Sequence, residues 1–174
     1  MGWDEVVTAG LPASNTVVMW WRQERPEQLE KAISGGYEIV LCPRLPLYLD
    51  FVQHPSHEYG RKWSKGEHAP MEKVYHFPGT SYTSGISIAT PLIKGIQGNA
   101  WTEVIHTPER LQFMVYPRLS ALAEAAWTQD RSKNYENFNS RMEKMMEFYK
   151  KSGIVFFDYK NPDLSPEVAG PKKR

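Results

Sequence analysis

Cysteine is almost missing from this chain: Cys42 is the only one among 174 residues. A single thiol excludes an internal disulfide framework and a cysteine-rich metal site. Neither sign of charge dominates, with 21 Lys and Arg against 20 Asp and Glu. That balance leaves no electrostatic case for nucleic acid or for an anionic membrane surface. No apolar run is long enough to span a bilayer. The opening "MGWDEVV" lacks the basic and apolar regions of a signal peptide, so none is expected here. There is no internal repeat, and the length fits one domain large enough to bury a core.

Aromatic residues, by contrast, are plentiful: 13% of the chain, with six Trp and nine Tyr, beside 13 Pro. Aromatic rings are core material first. Flat rings with a few polar groups at their edges also make carbohydrate clefts, so a sugar is one ligand class to weigh.

Three short apolar runs read as buried strands: "NTVVMWW" (15–21), "YEIVLCP" (37–43) and "IKGIQGNAW" (93–101). Between the first two, "RPEQLEKAISGG" (25–36) reads as a helix with Pro26 in its first turn and Gly35-Gly36 as its stop. Strand, helix, strand with short connections predicts parallel strands and an α/β fold. Residues 53–93 form a long His-, Gly-, Pro-, Ser- and Tyr-rich stretch, expected to be a functional or flexible loop with one helix around "PMEKVYHF". Helix is predicted again over 107–128, capped by Thr107 and kinked or divided by Pro117. A last helix over about 133–151 presents one apolar stripe of Tyr135, Phe138, Met142, Met145 and Tyr149. "GIVFFDYK" (153–160) reads as an edge strand or an extended segment on the core, and residues 161–174 as a flexible tail.

In parallel α/β folds, chemistry gathers at the carboxyl ends of strands. The unusual residues of this chain follow its strand candidates: Trp21 after the first, Tyr48 and Asp50 after the second, Trp101 and Glu103 after the third. "YLD" and "WTE" share the pattern aromatic–x–carboxylate. If each is extended, both side chains point to one side. Each couple then offers a flat apolar face and an acceptor, which suits a pyranose with its apolar C–H face and hydroxyl rim.

These residues carry a family resemblance. "GWDEV" (2–6), "VVMWWR" (17–22), "VLCPRLPLYLDF" (40–51), "GIQGNAWTEVI" (95–105) and "YPRLSALAEAAWT" (116–128) occur in an order that resembles the C-terminal part of the family 20 glycoside hydrolases, the β-N-acetylhexosaminidases. The resemblance implies the C-terminal half of a (β/α)8 TIM barrel, about strands five to eight with their helices, over residues 1–160. Gly2-Trp3 would end strand five. It also implies hydrolysis of terminal N-acetylglucosamine or N-acetylgalactosamine from β-linked glycans. In that reaction the sugar's own 2-acetamido oxygen attacks C1, an exception to the two-carboxylate scheme. Trp3, Trp21 and Trp101 resemble the walls of the acetamido pocket, and Tyr48 the hydroxyl donor to the acetamido oxygen. Asp50 and Glu103 resemble acceptors for sugar hydroxyls O4 and O6. No cofactor or metal is implied, and the parent enzymes are exported, periplasmic or lysosome-like.

Two departures accompany the match. The family's general acid lies in an Asp–Glu pair within a segment like His-x-Gly-Gly-Asp-Glu, and no such segment occurs here. Asp4-Glu5 belongs to the strand-five motif instead, with expected roles as helix N-terminal charge or solvent contact. The family's sugar-gripping arginine near its first strand has no counterpart either. A full barrel takes roughly 250 residues, so the chain reads as a fragment. It is expected to self-associate or to pair with a complementary half-barrel. A non-catalytic sugar-binding remnant and a purely structural half-barrel remain alternatives.

Other residues have plainer readings. His54 and His57 lack a third ligand at fixed spacing, and Cys42 reads as an inert packed thiol. Arg118 and Glu124 read as a helix ion pair or barrel contact, Trp127 as helix packing and Trp20 as core.

Overall fold

In a computed structural model that describes residues 1–62, 67–79 and 81–170, four parallel strands form one sheet in the order of the chain. They are β1 (Gly2–Trp3), β2 (Val17–Trp20), β3 (Glu38–Leu41) and β4 (Ile93–Ile96). Val18 pairs with Gly2 on one side and Ile39 on the other, and Leu41 pairs with Ile96. Both β2 and β3 are rich in branched apolar residues because parallel strands are covered on both faces. Val18, Trp20, Ile39 and Leu41 are wholly buried. Among the described residues, β1 and β4 are the two edges.

α1 (Pro26–Ser34) crosses from β2 to β3. It starts at Pro26, whose missing N–H costs nothing in a first turn, and buries Leu29 and Ala32. After β3, the short α2 (Arg44–Leu47) leads into Tyr48. The stretch expected to be a loop is more ordered than its composition suggests. α3 (Met71–Tyr75) and Phe77 enter the main core, with Val74, Tyr75 and Phe77 fully buried. Backbone bonds return the stretch to the strand end: Arg61 N donates to Asp50 O at 3.1 Å, Val52 N to Arg61 O at 3.2 Å and Ala69 N to Val52 O at 2.9 Å.

The predicted helix over 107–128 divides at Pro117 into α4 (Pro108–Val115) and α5 (Arg118–Trp127). Thr107 Oγ accepts from Arg110 N at 3.1 Å, the expected N-cap. α6 (Tyr135–Lys151) follows, capped by Asn134. Its buried stripe is Phe138, Met142, Met146 and Tyr149; Met146 takes the place expected of Met145, which is exposed. Residues 153–160 form no strand. They run extended, with Phe157 buried and its N–H donating to Tyr116 O at 3.3 Å.

Three expectations need correction. Of the two readings of Arg118 and Glu124, a mutual ion pair fails, because six positions apart on a helix they face different sides. The contact from helix to strand ends holds for Arg118, which donates to Leu49 O and Ala69 O. Arg118 points inward, while Glu124 pairs with Arg141. Trp127 does not pack; it is 90% exposed at the end of α5. Residues 161–170 are not a free tail, because a buried cation holds them. Glu167 Oε1 lies 2.9 Å from Nη1 of the wholly buried Arg110, and its carboxylate also accepts from the N–H groups of Glu58 and Tyr59. The remainder of the expected tail, 171–174, lies outside the described residues.

His57 is buried against the rings of Phe113 and Phe157, and neither ring nitrogen has a partner among the described residues. Burial, and then the neighbouring His54, Arg110, Arg118 and Lys62, lower its pKa from 6.5 to about 4. Between those values the unfolded chain binds the extra proton and the folded chain does not. Stability is therefore complete above pH 6.5 and falls as the pH drops toward 4. His57→Phe should flatten this acid-side loss in melting temperatures taken from pH 4 to 7; an unchanged profile would refute the assignment.

Candidate active site

Trp3 closes β1, Trp21 follows β2 directly, Tyr48 lies seven residues beyond β3, and Trp101 five beyond β4. All four therefore stand at the carboxyl ends of parallel strands. Their rings form a chain: Trp3 to Trp101 at 5.8 Å between centroids, Trp101 to Tyr48 at 6.0 Å, and Tyr48 stacked on Trp21 at 6.4 Å. Together with Glu5, Arg44, Phe51, Arg61 and Glu103 they line a cavity of about 370 Å³. That volume lies within the range of about 300–1,000 Å³ typical of small-molecule sites.

The approach to Trp101 explains its glycine. A Cβ on Gly98 would stand 2.8 Å from a methyl of Leu122 and 3.4 Å from one of Leu49. Without it, Asn99 N donates to Leu47 O at 2.9 Å and Leu49 N to Asn99 O at 2.6 Å. The segments bearing Tyr48 and Trp101 are thus stitched together. Trp3 and Trp101 remain more than one-third exposed, although large rings prefer burial. They form an open wall.

Tyr48 is nearly buried. That burial pushes its hydroxyl above the ordinary tyrosine range, so at neutral pH it stays protonated and able to donate. Trp21 is held from several sides: its Nε1 donates to Glu5 Oε2 at 3.4 Å, and the guanidinium carbons of Arg44 and Arg22 lie 5.4 and 5.7 Å from its ring.

The two carboxylates after Tyr48 and Trp101 differ from each other. Glu103 is exposed and lines the cavity, its Oε1 2.5 Å from Arg61 Nη2. Asp50 is wholly buried and does not line the cavity. It sits in a turn, and Glu103 sits in a single helical turn over Thr102–Val104, so the extended side-by-side geometry expected of "YLD" and "WTE" does not hold for either. Asp50 Oδ1 accepts from Trp101 N at 3.4 Å, and its Oδ2 faces Arg61 Nε at 3.1 Å. Burial raises its pKa, against the lowering effects of backbone hydrogen bonds and of Arg61.

Of the two roles expected of the Asp4-Glu5 pair, helix N-terminal charge holds, since both stand in the first turn of a short helix over Asp4–Ala9, whereas solvent contact does not hold for Asp4. It is fully buried, with its Oδ1 2.6 Å from Arg22 Nη2. Cys42 is buried, and its thiol is pushed up to about 12, as an inert packed thiol would be. Among the described residues no cluster of three or more His, Cys, Asp or Glu could hold a metal. Sequence reasoning missed Glu5, Arg44, Phe51 and Arg61 as lining residues. Glu5, Arg44 and Phe51 carried a signal, standing inside the quoted segments "GWDEV" and "VLCPRLPLYLDF"; Arg61 carried none.

The chain is similar to proteins of known activity. A family model described as the catalytic domain of glycosyl hydrolase family 20 matches residues 1–130. A beta-N-acetylhexosaminidase of Cellulomonas fimi is 25% identical over 171 residues, which is 98% of this chain and 32% of that protein. A beta-hexosaminidase of Porphyromonas gingivalis is 31% identical over 150 residues, 82% of this chain and 18% of its own length. The crystal structure of a family 20 exo beta-N-acetylglucosaminidase from Vibrio harveyi, in complex with N-acetylglucosamine, superimposes with a TM-score of 0.73 at 30% identity. It covers 89% of this chain and 24% of that one. The chain therefore spans about a third or less of the lengths of these relatives.

Proposed function

This chain belongs to glycosyl hydrolase family 20, and we propose that it is the C-terminal half of a β-N-acetylhexosaminidase barrel, strands five to eight with their helices. Residues 1–160 form this half, and β1 to β4 correspond to the four strands in order. Trp3, Trp21 and Trp101 wall the acetamido pocket, Tyr48 donates to the acetamido oxygen, and Glu103 takes a sugar hydroxyl. The substrates are glycans ending in N-acetylglucosamine or N-acetylgalactosamine.

One observation carries this reading: four aromatic rings from four successive strand ends line a single cavity with carboxylates at its rim. An N-acetyl group needs apolar walls around its methyl and a donor for its oxygen, and this cavity offers both. Titration of N-acetylglucosamine against glucose, followed by tryptophan fluorescence, tests it. Binding of N-acetylglucosamine without glucose is the expected result; binding of neither sugar would overturn the reading.

The open edges of β1 and β4 support a partner, because parallel sheets are normally closed or covered. A second copy or a complementary half-barrel supplies it. Alone, the 174 residues should not cleave an aryl N-acetyl-β-glucosaminide, since general acid catalysis contributes about 10²–10⁴-fold and the chain has no His-x-Gly-Gly-Asp-Glu segment. Turnover near a typical enzyme rate of about 10 s⁻¹ would place the acid within this chain and refute the assignment.

A further inference from the structure

Residues 165–170 run between two loops that border the cavity. Ser165 Oγ accepts from Asp158 N at 2.9 Å, and Val168 packs on the cluster of Ile105, Phe113, Met114 and Phe157. On one side lies the loop that leads to Arg61. Its Glu58 and Tyr59 N–H groups both donate to the Glu167 carboxylate, at 2.5 and 3.1 Å. On the other side lies the turn Thr102–Val104, which carries Glu103. Gly170 touches both loops: a Cβ there would stand 3.0 Å from Tyr59 Cβ and 3.2 Å from Val104 O. Arg110 fastens these parts together. It is wholly buried, with Nη1 2.9 Å from Glu167 Oε1, and it donates to Val168 O at 2.6 Å and to Tyr59 O.

A buried cation is costly unless its partners are all in place, so Arg110 favours one arrangement of Glu167, Val168 and Tyr59. Neither Glu167 nor Arg110 lines the cavity, but Arg61, two residues after Tyr59, and Glu103, one before Val104, both do. Their side chains meet at 2.5 Å between Arg61 Nη2 and Glu103 Oε1. We propose that residues 165–170 are a strap which sets the spacing of the two loops, and that Glu167 is a positioning residue of the cavity rim. For its ligand the proposal rests on the N-acetylhexosamine reading of the cavity. The clamp itself rests on the contacts of Glu167, Arg110 and Gly170.

Two variants of the full chain test it, by hydrogen exchange and by N-acetylglucosamine titration followed through tryptophan fluorescence. Glu167→Gln removes the charge shared by Arg110 and the two N–H groups. Amide exchange in residues 57–61 and 101–105 is expected to rise about tenfold or more, while β2, β3 and α1 keep their protection. A general loss of stability would raise exchange everywhere. N-acetylglucosamine binding should weaken about tenfold, the worth of one hydrogen bond to a charged group. Gly170→Val leaves the ion pair whole but pushes Tyr59 and Val104 apart. It should raise exchange in the same two loops and weaken binding, and it decides if Glu167→Gln does not fold. Unchanged exchange in both loops, or freed loops with undiminished binding, would overturn the strap and leave the sugar-site reading intact. An unaltered chain that fails to bind N-acetylglucosamine would overturn the sugar reading instead, and the exchange of the two loops then decides the strap alone.

Discussion

Replacing Arg118 with methionine is expected to destabilise the fold by about 3–5 kcal/mol, because three buried carbonyls lose their donor at about 1–3 kcal/mol each. Arg118 is wholly buried near the start of α5. Its guanidinium donates to Leu49 O at 2.5 Å, to Ala69 O at 3.1 Å and to Met114 O. These carbonyls come from the turn after Tyr48, from the segment before α3 and from α4, so one side chain ties three parts of the fold. Burial lowers its pKa to about 9, with Asp50 opposing that shift, so the side chain is still charged at neutral pH. Methionine spares the desolvation of a buried cation but leaves three acceptors dry, each costing about 1–3 kcal/mol. The second effect wins because it acts three times. Urea unfolding followed by circular dichroism measures the change; a loss below about 1 kcal/mol would refute the bracing role. Since Leu49 lies between Tyr48 and Asp50, the same variant should loosen the cavity floor before the fold melts.

Tyr48→Phe is expected to lower kcat by about 10²-fold or more, with KM little changed, in a polypeptide that joins this chain to the other half of the proposed barrel. The ring is nearly buried and packs against Trp21 and Trp101, so phenylalanine keeps the apolar wall. What is lost is the hydroxyl, which burial holds in its protonated, donating form. On the proposed reading the acetamido oxygen attacks C1 and must be held in line, and such positioning is worth several kcal/mol. A residue that merely walls the pocket would leave kcat nearly unchanged on substitution. Steady-state kinetics on an aryl N-acetyl-β-glucosaminide distinguish the two, and wild-type turnover in the variant would remove Tyr48 from the chemistry.

Much of the scaffold was legible from local pattern. The branched runs around Val18 and Ile39 form strands, Pro26 and Thr107 begin helices, and Pro117 divides one. Each depends on neighbours within a few positions, which periodicity and cap chemistry encode. The stripe of α6 was legible but blurred by one residue, since Met145 and Met146 are adjacent and only packing decides which faces inward. Trp127 misled because a tryptophan at a helix end gives no sign of whether another element covers it.

By itself, then, the sequence determined the strand and helix order, the family, and the aromatic residues placed at strand ends. The tertiary structure alone decided which carboxylates face the cavity and which are sealed behind it. Arg61 stands 11 positions from Asp50 and 42 from Glu103, yet its guanidinium bridges them. Arg118 reaches carbonyls as far as 69 positions away. Such contacts depend on where the chain returns after a long excursion, and no local period records that return. An arginine in a loop reads as a solvated charge until the backbone bonds at Asp50 and Val52 carry it to the mouth of the cavity.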